Sequence, residues 1–316
     1  MPVSNAGARV IDPILTTVAQ GYSSQEFVGE HLFPTVFVDQ AGGQVIEFDR
    51  DAFRLYNSRR SPGGNTAEVQ FGYFGRPFAL QNHRLQGVVP REHNRDAAQV
   101  AGIDMGAIGV NATMRALGMG LEVDRATLAT TLANYPASNR ITLSGGTKWS
   151  AVTGAPLTDV DTGREAIRQA CGLYPNVAVF SAQAFNACKN NANVVQRFQY
   201  NGAAGTDASM ITPAMLAGLF NIKKIVVGAA VYWNDANAAV DVWGNNVVLA
   251  YVPEDQAGMR SQYDPSYGYT YTMRGHPQAE QPAWDNDKAS WKYPVSLERA
   301  PVLSGITAGY LIQAPA

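Results

Sequence analysis

Four histidines, two cysteines and a few closely spaced acids are the residues of this 316-residue chain that could do chemistry. His31, His83, His93 and His276 are dispersed, and none stands in HExxH or beside a GxSxG nucleophile elbow. Each reads as structural. A hydrolase whose triad is assembled only in space stays as a competing class, marked by a deep polar pocket holding a strongly shifted carboxylate or histidine. Cys171 and Cys188 have no CxxC spacing and no adjacent histidine, so a zinc site is not expected. Their apolar helical surroundings suit reduced, buried thiols. Asp159/Asp161 and Asp49/Asp51 are i,i+2 pairs that read as a helix cap and a strand's solvent face. Gly145-Gly146-Thr147-Lys148 has the composition of a phosphate loop without its spacing and reads as a hairpin turn. Gly118-Met119-Gly120 lacks the third glycine of a dinucleotide site. Asp285-Asn286-Asp287 starts like a calcium loop, but Ser296 stands where the bidentate Glu belongs, so a solvated turn is expected. No catalytic residue, cofactor or metal is therefore expected.

Arginine is the unusual feature. Arg50, Arg54, Arg59, Arg60, Arg76, Arg84, Arg91 and Arg95 crowd one stretch, and the acids between 50 and 95 are only Asp51, Glu68 and Glu92. A solvated basic loop and a nucleic-acid patch are two readings. The third ranks first: planar guanidinium forks reaching carboxylates on another subunit, with Arg50, Arg54, Arg59, Arg60 and Arg76 as the contact residues. Stacking aromatics and lysine clusters are missing from the tip of that stretch.

The elements that would position these residues follow from periodicity. Residues 1–42 are punctuated by Pro2, Pro13 and Pro34 and hold no apolar run long enough for a core, so they are expected to pack on another body. Residues 43–83 alternate like a long β-hairpin with a polar tip at 57–65. Residues 94–134 carry Val100, Ile103, Ala107, Val110, Met114, Leu117, Leu121, Leu128 and Leu132 at helical spacing. One helix of that length would span about 60 Å. Gly102, Gly106 and Gly109 within it would let another backbone approach closely.

From Val160 onward short helices and strands alternate. Asp161-Thr162 is expected to cap a helix ending near Gly172, and Ser181 and Thr212-Pro213 to start the next ones. Asn176 to Phe180 and Lys223 to Trp233 read as strands. Val240 to Val252 reads as a strand pair turning at Gly244-Asn245-Asn246, and Val295 to Ile312 returns to strand alternation. The class is α+β.

Composition narrows the function. Charged residues are 16% of the chain, where about 25% is usual. Low charge fits a surface partly buried against neighbours, or an ordinary Ala/Gly-rich protein. A net charge of −2 argues against tight binding of nucleic acid over the whole surface. The most membrane-like stretch, Met105 to Leu121, is interrupted by Arg115 and flanked by Asp104 and Glu122, so no membrane span is expected. Met1 to Gly21 does not read as a signal peptide.

The order of parts resembles the HK97-fold major capsid proteins of tailed phages across nearly the whole chain. The resemblance makes 1–42 the N-arm, 43–83 the E-loop, 84–160 a P-domain with its spine helix at 94–134, 161–264 the A-domain, and 265–316 a return to the P-domain. Local sequence supports it. Tyr174-Pro175-Asn176-Val177-Ala178-Val179-Phe180-Ser181, with Phe185 and Asn193-Val194-Val195, is similar to the A-domain helix–strand–helix. Val242 to Pro253 and the tail Arg299 to Ile312 are familiar in the same way.

The resemblance implies a non-enzymatic homo-oligomer of hexamers and pentamers in an icosahedral head. The head encloses double-stranded DNA through weak, non-specific contact. The chain would be made in the host cytoplasm and end in the virion. Scaffold, portal or decoration proteins are left open as further partners, and an encapsulin-like compartment is the alternative. Some members join an E-loop lysine to a neighbour's asparagine. Here the first lysine is Lys148, outside the hairpin, so non-covalent contacts are expected to hold the shell.

Overall fold

The computed structural model describes residues 11–21, 27–47, 59, 74–97, 104–200, 210–253 and 266–316. The described chain begins with α1 (Pro13–Gln20), β1 (Thr35–Val38), β2 (Gly42–Glu47), β3 (Phe74–Ala79) and β4 (Gln81–Pro90). Next come α2 (Arg91–Ala97), α3 (Met105–Thr130), β5 (Arg140–Thr142), α4 (Pro156–Cys171), β6 (Val177–Ser181), α5 (Ala182–Asn190), α6 (Ala192–Tyr200) and α7 (Pro213–Leu219). The strands β7 (Lys224–Gly228), β8 (Val231–Trp233), β9 (Ala239–Asp241), β10 (Asn246–Ala250) and β11 (Gly268–Met273) follow. The last are β12 (Gln278–Ala279), β13 (Ala283–Asp285), β14 (Ser290–Leu303) and β15 (Gly309–Gln313).

Two sheets organise these elements. A six-stranded sheet is built on β14, the longest strand, which pairs with β4 along one edge and with β11, β12 and β13 along the other. β1 adds in parallel outside β11. A five-stranded sheet runs β5-β15-β10-β6-β7. Its central strands read Asn-Val-Val-Leu-Ala and Val-Ala-Val-Phe-Ser, nearly continuous apolar runs that suit burial on both faces. Val247 to Ala250 and Phe180 are fully buried there. Two ribbons, β2–β3 and β8–β9, belong to neither sheet.

The long helix crosses the six-stranded sheet. Asp104 caps it, its Oδ1 accepting from Gly106 N at 2.8 Å and Ala107 N at 3.2 Å. This cap starts α3 at 105, and Thr130 ends it, so it is shorter than the 94–134 expected and α2 is a separate helix. Of its glycines, Gly102 lies outside the described residues, a Cβ on Gly109 would meet only ordinary contacts and one on Gly106 would meet the Tyr293 ring at 2.9 Å; the glycine that the crossing requires is on the strand. A Cβ on Gly87 of β4 would lie 2.6 Å from the carbonyl oxygen of Gly109, so only glycine permits this approach.

Several expectations change. Residues 11–21 and 27–38 pack on their own chain. Leu15 and Ala19 of α1 are buried beside Val110, Met114 and Leu117 of α3, and Leu32 and Phe33 are fully buried in the main core. Residues 81–83 are not hairpin but the start of β4. β9 and β10 do not pair with each other: β9 pairs with β8, and β10 with β6 and β15.

α4 begins at Pro156, five residues before Asp161, because proline fits a first turn that lacks nothing by losing its N–H. The Gly145–Thr147 segment is a 3₁₀ turn rather than a hairpin turn. Asp159 caps no helix; its Oδ2 accepts from Trp149 Nε1 at 2.8 Å. Residues 140–142 and 309–313 both join the five-stranded sheet, so sheet membership does not follow the boundaries at 160 and 264 drawn from sequence. The caps at Ser181 and Thr212 are as expected, accepting from Ala184 N at 3.2 Å and Met215 N at 3.3 Å.

Candidate functional site

The arginine stretch is only partly described. Arg50, Arg54 and Arg60 lie outside the described residues, as do the polar tip apart from Arg59 and the hairpin residues 66–73. Arg59 is exposed. Arg76 stands on β3 opposite Val45, two pairs before the last described pair, Glu47 with Phe74. Arg84 is committed within the chain, pairing with Glu280, and Arg95 pairs with Asp96. Of the five proposed contact arginines, the structure describes only Arg59 and Arg76. It does show where their ribbon is anchored. Phe78 stacks on Tyr271 with ring centroids 4.5 Å apart, and Leu80 packs beside Val36 and Tyr269.

The chemistry that sequence reading missed is a buried charged cluster under the C-terminal half of α3. Glu122 is fully buried. Its carboxylate accepts from Val28 N at 2.9 Å, Gly29 N at 3.0 Å and Trp243 Nε1 at 2.8 Å. A Cβ on Gly29 would lie 2.7 Å from Glu122 Oε2, so glycine is what lets the backbone reach the carboxylate. One turn along, Arg125 donates from Nε to Thr270 Oγ1 at 3.0 Å, and Thr270 donates in turn to Phe33 O at 3.0 Å. The cluster thus ties together the 27–34 segment, α3, β11 of one sheet and the turn leading into β10 of the other.

Its electrostatics follow from burial. Arg125 is brought down to about 10 by desolvation, with Glu30 and Glu122 pulling the other way. Arg299 on β14 is 2% exposed, and its Nη2 lies 4.0 Å from Asp124 Oδ2, while its Nε and Nη1 have no hydrogen-bond partner. Burial lowers Arg299 to about 10 as well; Asp124 opposes the shift and Arg125 adds to it.

His83 is lowered by burial and then by Arg299, against the pull of Asp124. Its folded pKa is below 6.5, so the unfolded chain takes up the proton first. Stability is expected to fall as pH drops through 6.5 and to level off below the folded pKa. Denaturant unfolding of the unassembled subunit across this range checks it: His83→Gln should flatten the profile, and an unchanged slope would rule the histidine out.

Nothing among the described residues assembles a reacting centre. No group of three or more His, Cys, Asp or Glu suited to a metal occurs there. Two open surface grooves are lined by Ala155, Thr158 and Arg197 and by Arg164, Tyr174 and Lys223, with neither carboxylate, histidine nor cysteine in either lining. Cys171 and Cys188 are buried and free, and burial raises both thiols, which keeps them protonated and unreactive. The buried Tyr135 and Tyr267 hydroxyls meet at 2.5 Å, and burial raises both. No described helix is long and apolar enough to cross a membrane.

A family model described as phage major capsid protein E matches residues 134–292. The curated major capsid protein of Burkholderia phage BcepMu is 32% identical over 306 residues, which is 96% of each chain. Among solved structures, a phage-related protein of Bordetella bronchiseptica RB50 superposes with a TM-score of 0.81 at 40% identity, covering 97% of this chain and 98% of that one. The capsid of cyanophage P-SCSP1u shares the fold, with a TM-score of 0.55 at 11% identity over 91% of this chain and 88% of that one.

Proposed function

Since this chain belongs to the phage major capsid protein family, we propose that it builds its shell by laying the hairpin of each subunit, which begins with β2 and ends with β3, over a neighbouring copy. The chain forms a capsid shell and is part of the virion, and its fold is the HK97-like α+β fold of such shells. Beyond that, hexamers and pentamers closing an icosahedral head around double-stranded DNA are the arrangement proposed. The proposed parts are an N-arm reaching 42, an E-loop from 43 to the end of β3, a P-domain built on α3 and the six-stranded sheet, and an A-domain built on the five-stranded sheet. The role is structural, and catalysis forms no part of it.

The observation that carries the hairpin reading is the β2–β3 ribbon. It is a two-stranded sheet of its own, anchored at one end by Phe78 on Tyr271. A two-stranded ribbon is marginal in water without a surface to lie on. The sequence between its strands holds Arg50, Arg54, Arg59 and Arg60, whose guanidinium forks pair best with carboxylates. DNA contact is proposed to be weak and non-specific, because a net charge of −2 limits counterion release.

Replacing Arg59 and Arg60 with Ala tests the reading. The subunit should melt as the parent does, and assembly should drop about tenfold or more, as expected for losing charge-assisted contacts repeated by symmetry. Sedimentation of assembled particles reads the effect. Parental yields from the double variant would contradict it.

A further inference from the structure

We infer that the β8–β9 ribbon is the surface that receives the arginine-rich hairpin of a neighbouring copy, an inference that rests on the hairpin reading above. The two strands pair Val231 with Asp241, Tyr232 with Val240 and Trp233 with Ala239. Alternation puts Val231, Trp233, Ala239 and Asp241 on one face. That face is open: Trp233 is 72% exposed and Val231 42%. A tryptophan so placed on a short ribbon outside both sheets contributes nothing to the core of its own subunit.

The turn between the strands is built rather than loose. Asn234 Oδ1 accepts from Ala236 N at 3.0 Å and Ala238 N at 2.9 Å, which presents exposed Asp235 at the tip. At the other end, Asp241 Oδ2 accepts from Gln183 Nε2 at 2.8 Å, which fixes the carboxylate's orientation.

Chemistry selects the occupant. The ribbon, residues 231–241, carries two acids and no base around an exposed indole. An indole face flanked by carboxylates is suited to guanidinium: the ring attracts the cation and the carboxylates take its planar fork. The matching charge is elsewhere in the same sequence. Residues 50–95 hold eight arginines and three acids, a net of +5, whereas the whole chain is −2, leaving −7 on the remainder. A second copy therefore supplies the complement, and its Arg54, Arg59 and Arg60 are the groups placed on the ribbon.

The experiment uses the full-length chain. Trp233→Ala and the pair Asp235→Asn with Asp241→Asn should leave the melting of the unassembled subunit unchanged and lower particle yield about tenfold. Arg59→Glu with Arg60→Glu should do the same, and adding Asp235→Arg with Asp241→Arg should restore assembly. A measurement independent of yield is crosslinking between Arg60→Cys subunits and Asp235→Cys subunits mixed before assembly. A bismaleimide should give a dimer band only in particles, with the native buried thiols as control. Ribbon variants that assemble normally while Arg59→Ala/Arg60→Ala fails would overturn this inference and leave the hairpin reading standing. Normal assembly from both sets would overturn the two together. Failed restoration and an absent dimer band would also overturn the inference.

Discussion

Glu122→Ala should cost the unassembled subunit about 4 kcal/mol, a large share of the roughly 5–15 kcal/mol that holds a typical domain folded. The substitution strips three donors of their acceptor: Val28 N, Gly29 N and Trp243 Nε1. Each buried donor left without a partner costs about 1–3 kcal/mol. It also leaves Arg125, already lowered to about 10 by burial, with Glu30 alone of the two carboxylates that support its charge. Glu122→Gln keeps one acceptor oxygen but turns an NH₂ toward the donors, so it should fall between parent and Ala. Trp243→Phe removes one of the three bonds and should cost about 1–3 kcal/mol. Urea unfolding followed by circular dichroism measures all three. A Glu122→Ala subunit within about 1 kcal/mol of the parent would mean that the carboxylate is not the tie between the two sheets.

Gly87→Val should cost about 3 kcal/mol, at the upper end of what overpacking usually does. Its Cβ would meet the Gly109 carbonyl oxygen at 2.6 Å and Thr113 Oγ1 at 3.0 Å, and a helix backbone cannot turn aside as a side chain can. α3 would have to lift from β4, giving up the packing of Val110, Met114 and Leu117 in the small core they share with Val89 and Val295. Gly109→Ala is the contrasting case at the same crossing. Its Cβ would find Val89 at 3.4 Å and Tyr293 at 3.7 Å, ordinary contact distances, and alanine gains about 1 kcal/mol in helix propensity. That variant should stay within about 1 kcal/mol of the parent. Equal effects from the two would show that the close approach of strand and helix is not what selects glycine at 87.

These two positions also show what could be read from sequence. The apolar stripe located the helix and the buried face of its first half, where Val110, Met114 and Leu117 are indeed buried. In the second half the buried residues are Glu122, Arg125, Ala126 and Ala129. A charge on a helix ordinarily faces water, so periodicity counts Glu122 and Arg125 as solvated. Their burial depends on partners more than ninety residues away, Val28 and Gly29 for one and Thr270 for the other. No local window contains that information.

The same contrast holds for strands. β6 and β10 were legible because continuous apolar runs mark strands buried on both faces. β4 was not, because Gln81 to Pro90 mixes polar and apolar residues on a strand held along one edge by β14. The Gly244-Asn245-Asn246 turn was legible as a turn, but its flanking strands go to different partners. Trp243 is drawn into the core to reach Glu122, which separates β9 from β10. The N-terminal stretch looked coreless because its core belongs to α3 and to the main cluster, far along the chain. The arginine-rich segment was legible as charge alone.

Negative-stain imaging of the purified full-length chain tests the central claim most directly. A subunit that builds a shell through its hairpin and its neighbours' surfaces should give closed particles or curved sheets. Those particles should be lost from the Arg59→Ala/Arg60→Ala variant under the same conditions. A parent protein that stays a single subunit at every concentration and salt condition imaged would contradict the account.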